Sequence, residues 1–201
     1  MNLSTTELAE IVATRTCHDL IGNIGTFKNV LSFVEPDGTL DKETKNLLDD
    51  VSFLLNARQK FFRVAFGLET RAADNDELCK LCADYVATVG TRGHTIHLEL
   101  HGISPQLSKL VCLCVMIVAD VYIRGGTVSL DINKNNVTVH AVTDFKFNEG
   151  ELNGYQMILQ NQKPKDNLSQ YAQLLYLQNV LGSNVPMQLT ISAQEITFII
   201  G

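Results

Sequence analysis

The stretch Thr16-Cys17-His18-Asp19-Leu20-Ile21-Gly22-Asn23 decides how this sequence is read. Counted from Ala13, the positions Cys17, Leu20, Ile24, Phe27, Leu31 and Val34 recur at alternating steps of four and three, a heptad seam along one face of a helix. At about 100° per residue, His18 falls on nearly the opposite face, beside Thr14, Arg15, Gly22, Gly25 and Asn29. The seam therefore predicts a wet imidazole on a rigid rod. Glycine inside a helix costs about 1 kcal/mol relative to alanine. Gly22 and Gly25 beside one exposed histidine describe a surface kept low for the approach of something large.

The chemistry that suits such a histidine is nucleophilic attack on a phosphoryl group. Neutral imidazole is a nucleophile near neutral pH, because its unperturbed pKa is about 6.5. The following acid, Asp19, can accept a hydrogen bond from one ring nitrogen, fix the tautomer and stabilise the developing charge. Two residues alone favour an ordinary surface histidine beside a surface aspartate. The seam behind His18 and the glycines beside it shift the balance.

Working outward, Ser4-Thr5-Thr6-Glu7 has the form of a capping box for this helix, which is expected to reach about Val34. Glu35-Pro36-Asp37-Gly38 breaks it. Asp41 is placed to cap a second helix reaching about Leu68, with a seam of Leu47, Val51, Leu54, Arg58, Phe61, Ala65 and Leu68 widened by Leu48, Leu55 and Phe62. That stripe is too broad for one partner helix, so the hairpin is expected to pair with its own copy in a four-helix bundle. Arg58 is a flaw in the seam, expected to snorkel or to face the bundle rim.

Residues 70–75 read as a linker. Asp74 to Glu77 has capping-box spacing for a third helix ending near Gly90. A strand follows, with Ile96, Leu98 and Leu100 on one face and His97, Glu99 and His101 on the other. The second set could bind a metal, but a solvated strand face is the commoner meaning. Ser104-Pro105 reads as the start of a helix, apolar almost all round from Leu107 to Val121 and stopped by Arg124-Gly125-Gly126. A hairpin of Thr127–Ile132 and Val137–Val142 comes next, then an irregular polar stretch over 144–165. A helix from Leu168 to Leu181 and a last strand pair, Met187–Ile191 and Ile196–Ile200, complete the chain. The order predicts an α+β fold: the helical hairpin, then a mainly antiparallel sheet with helices on one face.

Composition sets the outer limits. The chain has 201 residues, 45% hydrophobic and 19% charged, with net charge −6. It has no lysine- or arginine-rich block, which disfavours nucleic acid and anionic membrane as partners. No apolar run reaches the roughly 18 residues of a span, and the first residues lack a signal core, so a cytoplasmic location is expected. Five cysteines, an odd number, argue against a disulfide framework. Cys79 and Cys82 lack a second well-spaced pair for zinc, and buried thiols are expected.

Cys17-His18-Asp19-Leu20-Ile21-Gly22 resembles the C/S-H-D-L-I-S/G start of the ChpT-type histidine phosphotransferases. The segment Lys109–Ile132, with Ile123-Arg124-Gly125-Gly126-Thr127-Val128, is similar to that family's helix followed by an R-G-G-T-V strand entry. By order of elements the resemblance covers essentially the whole chain. It implies a dimeric four-helix bundle over residues 1–70. It also implies, over 74–201, an α/β sandwich shaped like a degenerate histidine kinase ATP-binding domain that binds no ATP. It implies phosphoryl transfer from the receiver domain of a hybrid histidine kinase, through a histidine matched by His18, to response regulators like CtrA and CpdR. Mg²⁺ would sit on the receiver partner, and this chain would hold neither metal nor cofactor. Asp19 matches the acidic neighbour, and Thr14, Arg15, Gly22, Gly25 and Asn29 form the expected docking face.

Two positions depart from the family. Asn23 stands where proline is usual, so the helix is expected to run straighter. Gly22 stands where many kinases keep a Thr or Asn for phosphatase action, which puts that activity in doubt. The sequence also argues against nucleotide binding. The helix over 107–123 has no asparagine to hold magnesium, and Thr143-Asp144-Phe145-Lys146-Phe147 lacks both glycines of the Asp-x-Gly-x-Gly loop. The competing reading is a non-catalytic dimeric binding module or kinase regulator, with His18 an ordinary surface residue.

Overall fold

The computed structural model describes residues 3–35, 37–68, 72–89, 95–121, 125–133, 137–143, 149–164, 167–182, 185–191 and 195–200. Two long helices open the chain. Helix α1 spans Thr5–Leu31, and its capping box forms as the sequence predicts: Ser4 Oγ accepts from the Glu7 N–H, and the Glu7 carboxylate accepts from the Ser4 N–H at 2.8 Å. Asn23 keeps an N–H that proline would lack, and α1 runs unbroken through it. Helix α2 spans Lys42–Phe66, and Asp41 Oδ1 accepts from the Thr44 N–H at 2.6 Å. The two lie against each other along the hairpin.

The second part is a sheet with helices on one face. Helix α3 is Asn75–Val89, strand β1 Ile96–His101, helix α4 Ser108–Val121, strand β2 Gly126–Ile132 and strand β3 Val137–Val142. Helix α5 is Glu149–Leu159, helix α6 Ala172–Leu181, strand β4 Met187–Ile191 and strand β5 Glu195–Ile200. The strand order is β1-β2-β3-β5-β4; β1 runs parallel to β2, and the other neighbours are antiparallel. Alternation along the strands decides the buried face: Val128, Leu130, Val139, Ala141, Ile196 and Phe198 point into the core. His97, Glu99 and His101 stay exposed on the other face. Among the described residues no cluster of three or more His, Cys, Asp or Glu is placed to hold a metal ion. None of the helices among the described residues is long and apolar enough to cross a membrane.

The core corrects the sequence reading of the hairpin. The C-terminal half of the α2 stripe is covered by the chain itself. Phe61, fully buried, stacks on Tyr85 of α3 with ring centroids 3.8 Å apart, and Phe62, Ala65 and Leu8 of α1 join the same buried cluster as Leu78 and Leu113. The other end of the hairpin keeps apolar groups outside, Ile24 and Leu31 of the α1 seam with Ile21 and Phe53, and Leu68, the last residue of the α2 stripe, is exposed as well. Arg58 neither snorkels nor faces a rim. Its guanidinium donates to the Asp19 carbonyl at 2.6 Å and to the Thr88 carbonyl at 2.9 Å, joining α1, α2 and α3.

Three boundaries differ as well. Residues 149–159, read as irregular, form α5, because Leu152, Tyr155 and Ile158 recur at helical spacing and are buried. Gly154 is a close-approach residue rather than a breaker: a Cβ there would run into the Tyr171 ring and its hydroxyl. Ser104 makes no side-chain cap, and Pro105–Leu107 is a 3-10 turn before α4. Likewise Leu168–Tyr171 is a 3-10 turn before α6. The expected stop at Arg124 and the loop Asp144 to Phe147 lie outside the described residues.

Candidate functional site

His18 projects from the middle of α1 with its side chain 83% exposed. The seam predicts an outward imidazole, but the seam itself is only partly covered: Leu20 and Phe27 are half-buried, while Ala13, Cys17, Ile24 and Leu31 are exposed. The Nδ1 atom lies 3.3 Å from Asp19 Oδ1, which fits a ring that donates from Nδ1 and keeps the Nε2 lone pair outward. Gly22 and Gly25 are exposed, and a Cβ built at either would meet nothing within 4 Å. Thr14 and Asn29 are exposed too, although Thr14 Oγ1 donates back to the Glu10 carbonyl. The low wet face therefore exists as expected, with Ile21 an exposed apolar group beside it.

Arg15 is the exception on that face. Its side chain is only 14% exposed and turns inward toward the sheet layer. Nε donates to Asp19 Oδ2 at 2.7 Å, Nη2 to Asp120 Oδ1 at 2.7 Å and Nη1 to the Gln170 carbonyl at 3.2 Å. The one guanidinium thus grips a carboxylate on its own helix and another on α4. Asp19 and Asp120 are themselves only 15% and 12% exposed.

Sequence reasoning missed Asp120, Gln173 and Tyr155. Asp120 is the single acid of α4, a helix apolar from Leu110 to Ala119, and that was the available signal: an acid in a core helix needs a partner. Gln173 Nε2 donates to Asp120 Oδ2 at 2.6 Å, and Gln173 and Tyr155 are in hydrogen-bond contact with each other. Burial pushes the Asp120 carboxyl above the usual carboxylate range, and Arg15 pulls against that shift. Burial also works against the Arg15 charge, but Asp120 and Asp19 more than compensate and hold the guanidinium protonated.

The cysteines take no part. Cys82, Cys112 and Cys114 are buried while Cys17 and Cys79 are exposed, and all five are free thiols. Burial pushes the Cys114 thiol up to about 12, which keeps it protonated and inert.

The fold, a helical hairpin set against a five-stranded layer, is similar to that of a solved bacterial phosphotransferase. That 1.7 Angstrom structure matches 100% of this chain and 98% of its own, with a TM-score of 0.77 at 18% identity. The more particular likeness is to ChpT: the protein phosphotransferase ChpT of Brucella abortus (strain 2308) is 33% identical over 67 residues. Those residues are 33% of this chain and 32% of that protein, so the match spans about a third of the curated relative. Over that third of its length the chain resembles ChpT in sequence. A blue-light activated histidine kinase of Erythrobacter litoralis aligns at 11% identity over 91% of this chain and 62% of its own, with a TM-score of 0.41. No family model matches.

Proposed function

We propose that this protein is a histidine phosphotransferase of a two-component phosphorelay, with His18 as the phosphoacceptor. One observation carries the reading: an imidazole 83% exposed, with Nδ1 3.3 Å from an aspartate that an arginine holds in place. The Nε2 lone pair attacks the phosphorus of a receiver's aspartyl phosphate. The Nε2–P bond forms as the P–O bond to the aspartate breaks, and the carboxylate leaves with that electron pair. The ring becomes positive, and Asp19, accepting from Nδ1–H, stabilises it. Onward transfer reverses the step on a second receiver. Charge on the phosphoryl group is met by Mg²⁺ on the receiver partner.

The partners on this reading are the receiver domain of a hybrid histidine kinase and response regulators of the CtrA and CpdR kind, in the cytoplasm. The division of labour follows the expected boundaries: residues 1–70 carry the histidine and dimerise, and 74–201 buttress them. Exposed Ile24, Leu31 and Phe53 support a homodimer through the free end of the hairpin, a four-helix bundle shorter than the sequence suggests.

The protein acts without ATP. Between α4, α5 and the sheet, the cavity lined by Ile117, Val121, Tyr155, Leu174 and Phe198 has a volume of about 20 Å³ and no polar lining. That is space for about one water molecule; wider clefts of about 560 and 420 Å³ lie beside the start of α1, and the reading without ATP rests on the nucleotide motifs the sequence lacks. Autokinase activity is accordingly not part of the proposal.

The test is incubation with a phosphorylated receiver domain. Acid-labile, base-stable phosphate should appear on the protein and be absent from His18→Ala. Receiver binding without phosphate transfer would favour the binding-module reading instead.

A further inference from the structure

We propose that Arg15 and Asp120 are positioning residues that set which ring nitrogen of His18 faces the incoming phosphoryl group. The proposal rests on His18 being the phosphoacceptor and adds a role for the C-terminal layer.

Adjacent side chains on a helix do not face each other. Asp19 reaches His18 Nδ1 only if its carboxylate is turned back along the helix and held there. Arg15, one turn earlier, does this by taking Oδ2 at 2.7 Å, which leaves Oδ1 for the imidazole at 3.3 Å. A guanidinium on a long flexible stem could not hold that position alone. Its other end is fixed by Asp120 at 2.7 Å and by the Gln170 carbonyl at 3.2 Å. Asp120 is fixed in turn by Gln173 at 2.6 Å, and Gln173 is wholly buried in the core. Each group is oriented by the next, and the series ends in the packed layer. From the opposite side Arg58 bonds the Asp19 carbonyl, so the backbone under the carboxylate is fixed as well.

The charges agree with this role. Two carboxylates stand against the guanidiniums of Arg15 and Arg58, and of these groups it is the Asp19 carboxylate that touches the ring which turns positive when phosphorylated. As a stability device the arrangement is poor, because apolar groups of similar volume often do as well as a buried ion-pair triad. As a means of fixing a tautomer it is apt: with Asp19 accepting at Nδ1, the proton is held there and the outer Nε2 stays free to attack.

The experiment uses the full chain with ¹⁵N-labelled histidine. Ring spectra of His18 at a pH where it is neutral give the tautomer, and phosphorylation by phosphoramidate gives the maximal rate and half-saturating concentration without any docking partner. Wild type should hold mainly the Nδ1–H form. Asp120→Asn should move His18 toward the Nε2–H form that free histidine favours. It should also lower the maximal rate about 10- to 100-fold at unchanged half-saturation, the scale of a misplaced reacting group. Arg15→Lys should do the same to a lesser degree.

If Asp120→Asn does not fold, Gln173→Met removes the outer anchor with milder disturbance and should show the same tautomer shift in smaller measure. A folded variant with a lower melting temperature but wild-type ring spectra and rate would overturn the proposal. If wild type takes no phosphate at His18, the phosphoacceptor reading fails, while the spectra still decide whether Asp120 governs the ring.

Discussion

Arg15 Nη2 stands 2.7 Å from Asp120 Oδ1 although 105 positions of sequence separate the two residues. This contact ties the helix that bears the exposed histidine to the most apolar helix of the chain.

Breaking it from the cationic side should be costly. Arg15→Met leaves Asp120 as an uncompensated charge in the core, a change that typically costs about 3–5 kcal/mol. The pH dependence has a definite sign. Burial already raises the Asp120 carboxyl, and losing Arg15 raises it further. A carboxyl raised on folding contributes stability that is present below its unfolded pKa, about 4, and lost as pH rises through the folded value. The variant should therefore lie closer to wild type at about pH 4 than at neutral pH, as urea unfolding at both would show. A deficit equal at both pH values would mean that Asp120 is not the group left unpaired.

Gly22 and Gly25 separate folding from docking. With nothing within 4 Å of a Cβ at either position, Gly25→Ala should be neutral or stabilising by up to about 1 kcal/mol, alanine being the better helix former. Gly25→Phe should keep the helical signal and impair transfer from a receiver, and Gly22→Phe, nearer His18, should impair it more. Wild-type transfer by both folded Phe variants would place receiver docking on another face.

Phe61→Ala should destabilise by about 3–5 kcal/mol, since it empties a fully buried site and removes the ring stacked on Tyr85. Denaturant titration measures it. A loss below about 1 kcal/mol would show that α2 and α3 do not depend on each other.

For the homodimer, Ile24→Lys is the informative change. The side chain is 54% exposed in the single chain, so the substitution should leave monomer stability within about 0.5 kcal/mol. Light scattering should give twice the 22.3 kDa chain mass for wild type and the single mass for the variant. A wild type that scatters as one chain at micromolar concentration would remove the four-helix bundle.

Local signals carried much of the fold. Ser4, Glu7 and Asp41 announce their helices because a cap is settled within four residues. The strands announce themselves through alternation, as in Ile96, Leu98 and Leu100 against His97, Glu99 and His101. Helix α5 was hidden because Gly150 and Gly154 read as breakers, and the reason for Gly154 is a tyrosine ring that arrives from residue 171. His18 and Asp19 were legible as a pair from spacing alone. The inward turn of Arg15 and the anchoring of Arg58 were not. An arginine's periodicity gives its direction from the helix, but the partners that draw these two inward lie 30 to 155 positions away.

Helix α1 joins two mechanically different halves. Up to Leu20 it packs on the C-terminal layer through Leu8, Ile11, Val12 and Arg15, while Ile21, Ile24 and Leu31 beyond it are exposed. His18 sits at the fulcrum. A partner pressing on the free arm of the hairpin loads a lever whose fixed end lies beneath the imidazole. The bonds at that point lead from Arg15 to α4 and from Arg58 to α3. The histidine is thus mounted where α1 is held from two sides, by Arg15 to α4 and by Arg58 to α2 and α3.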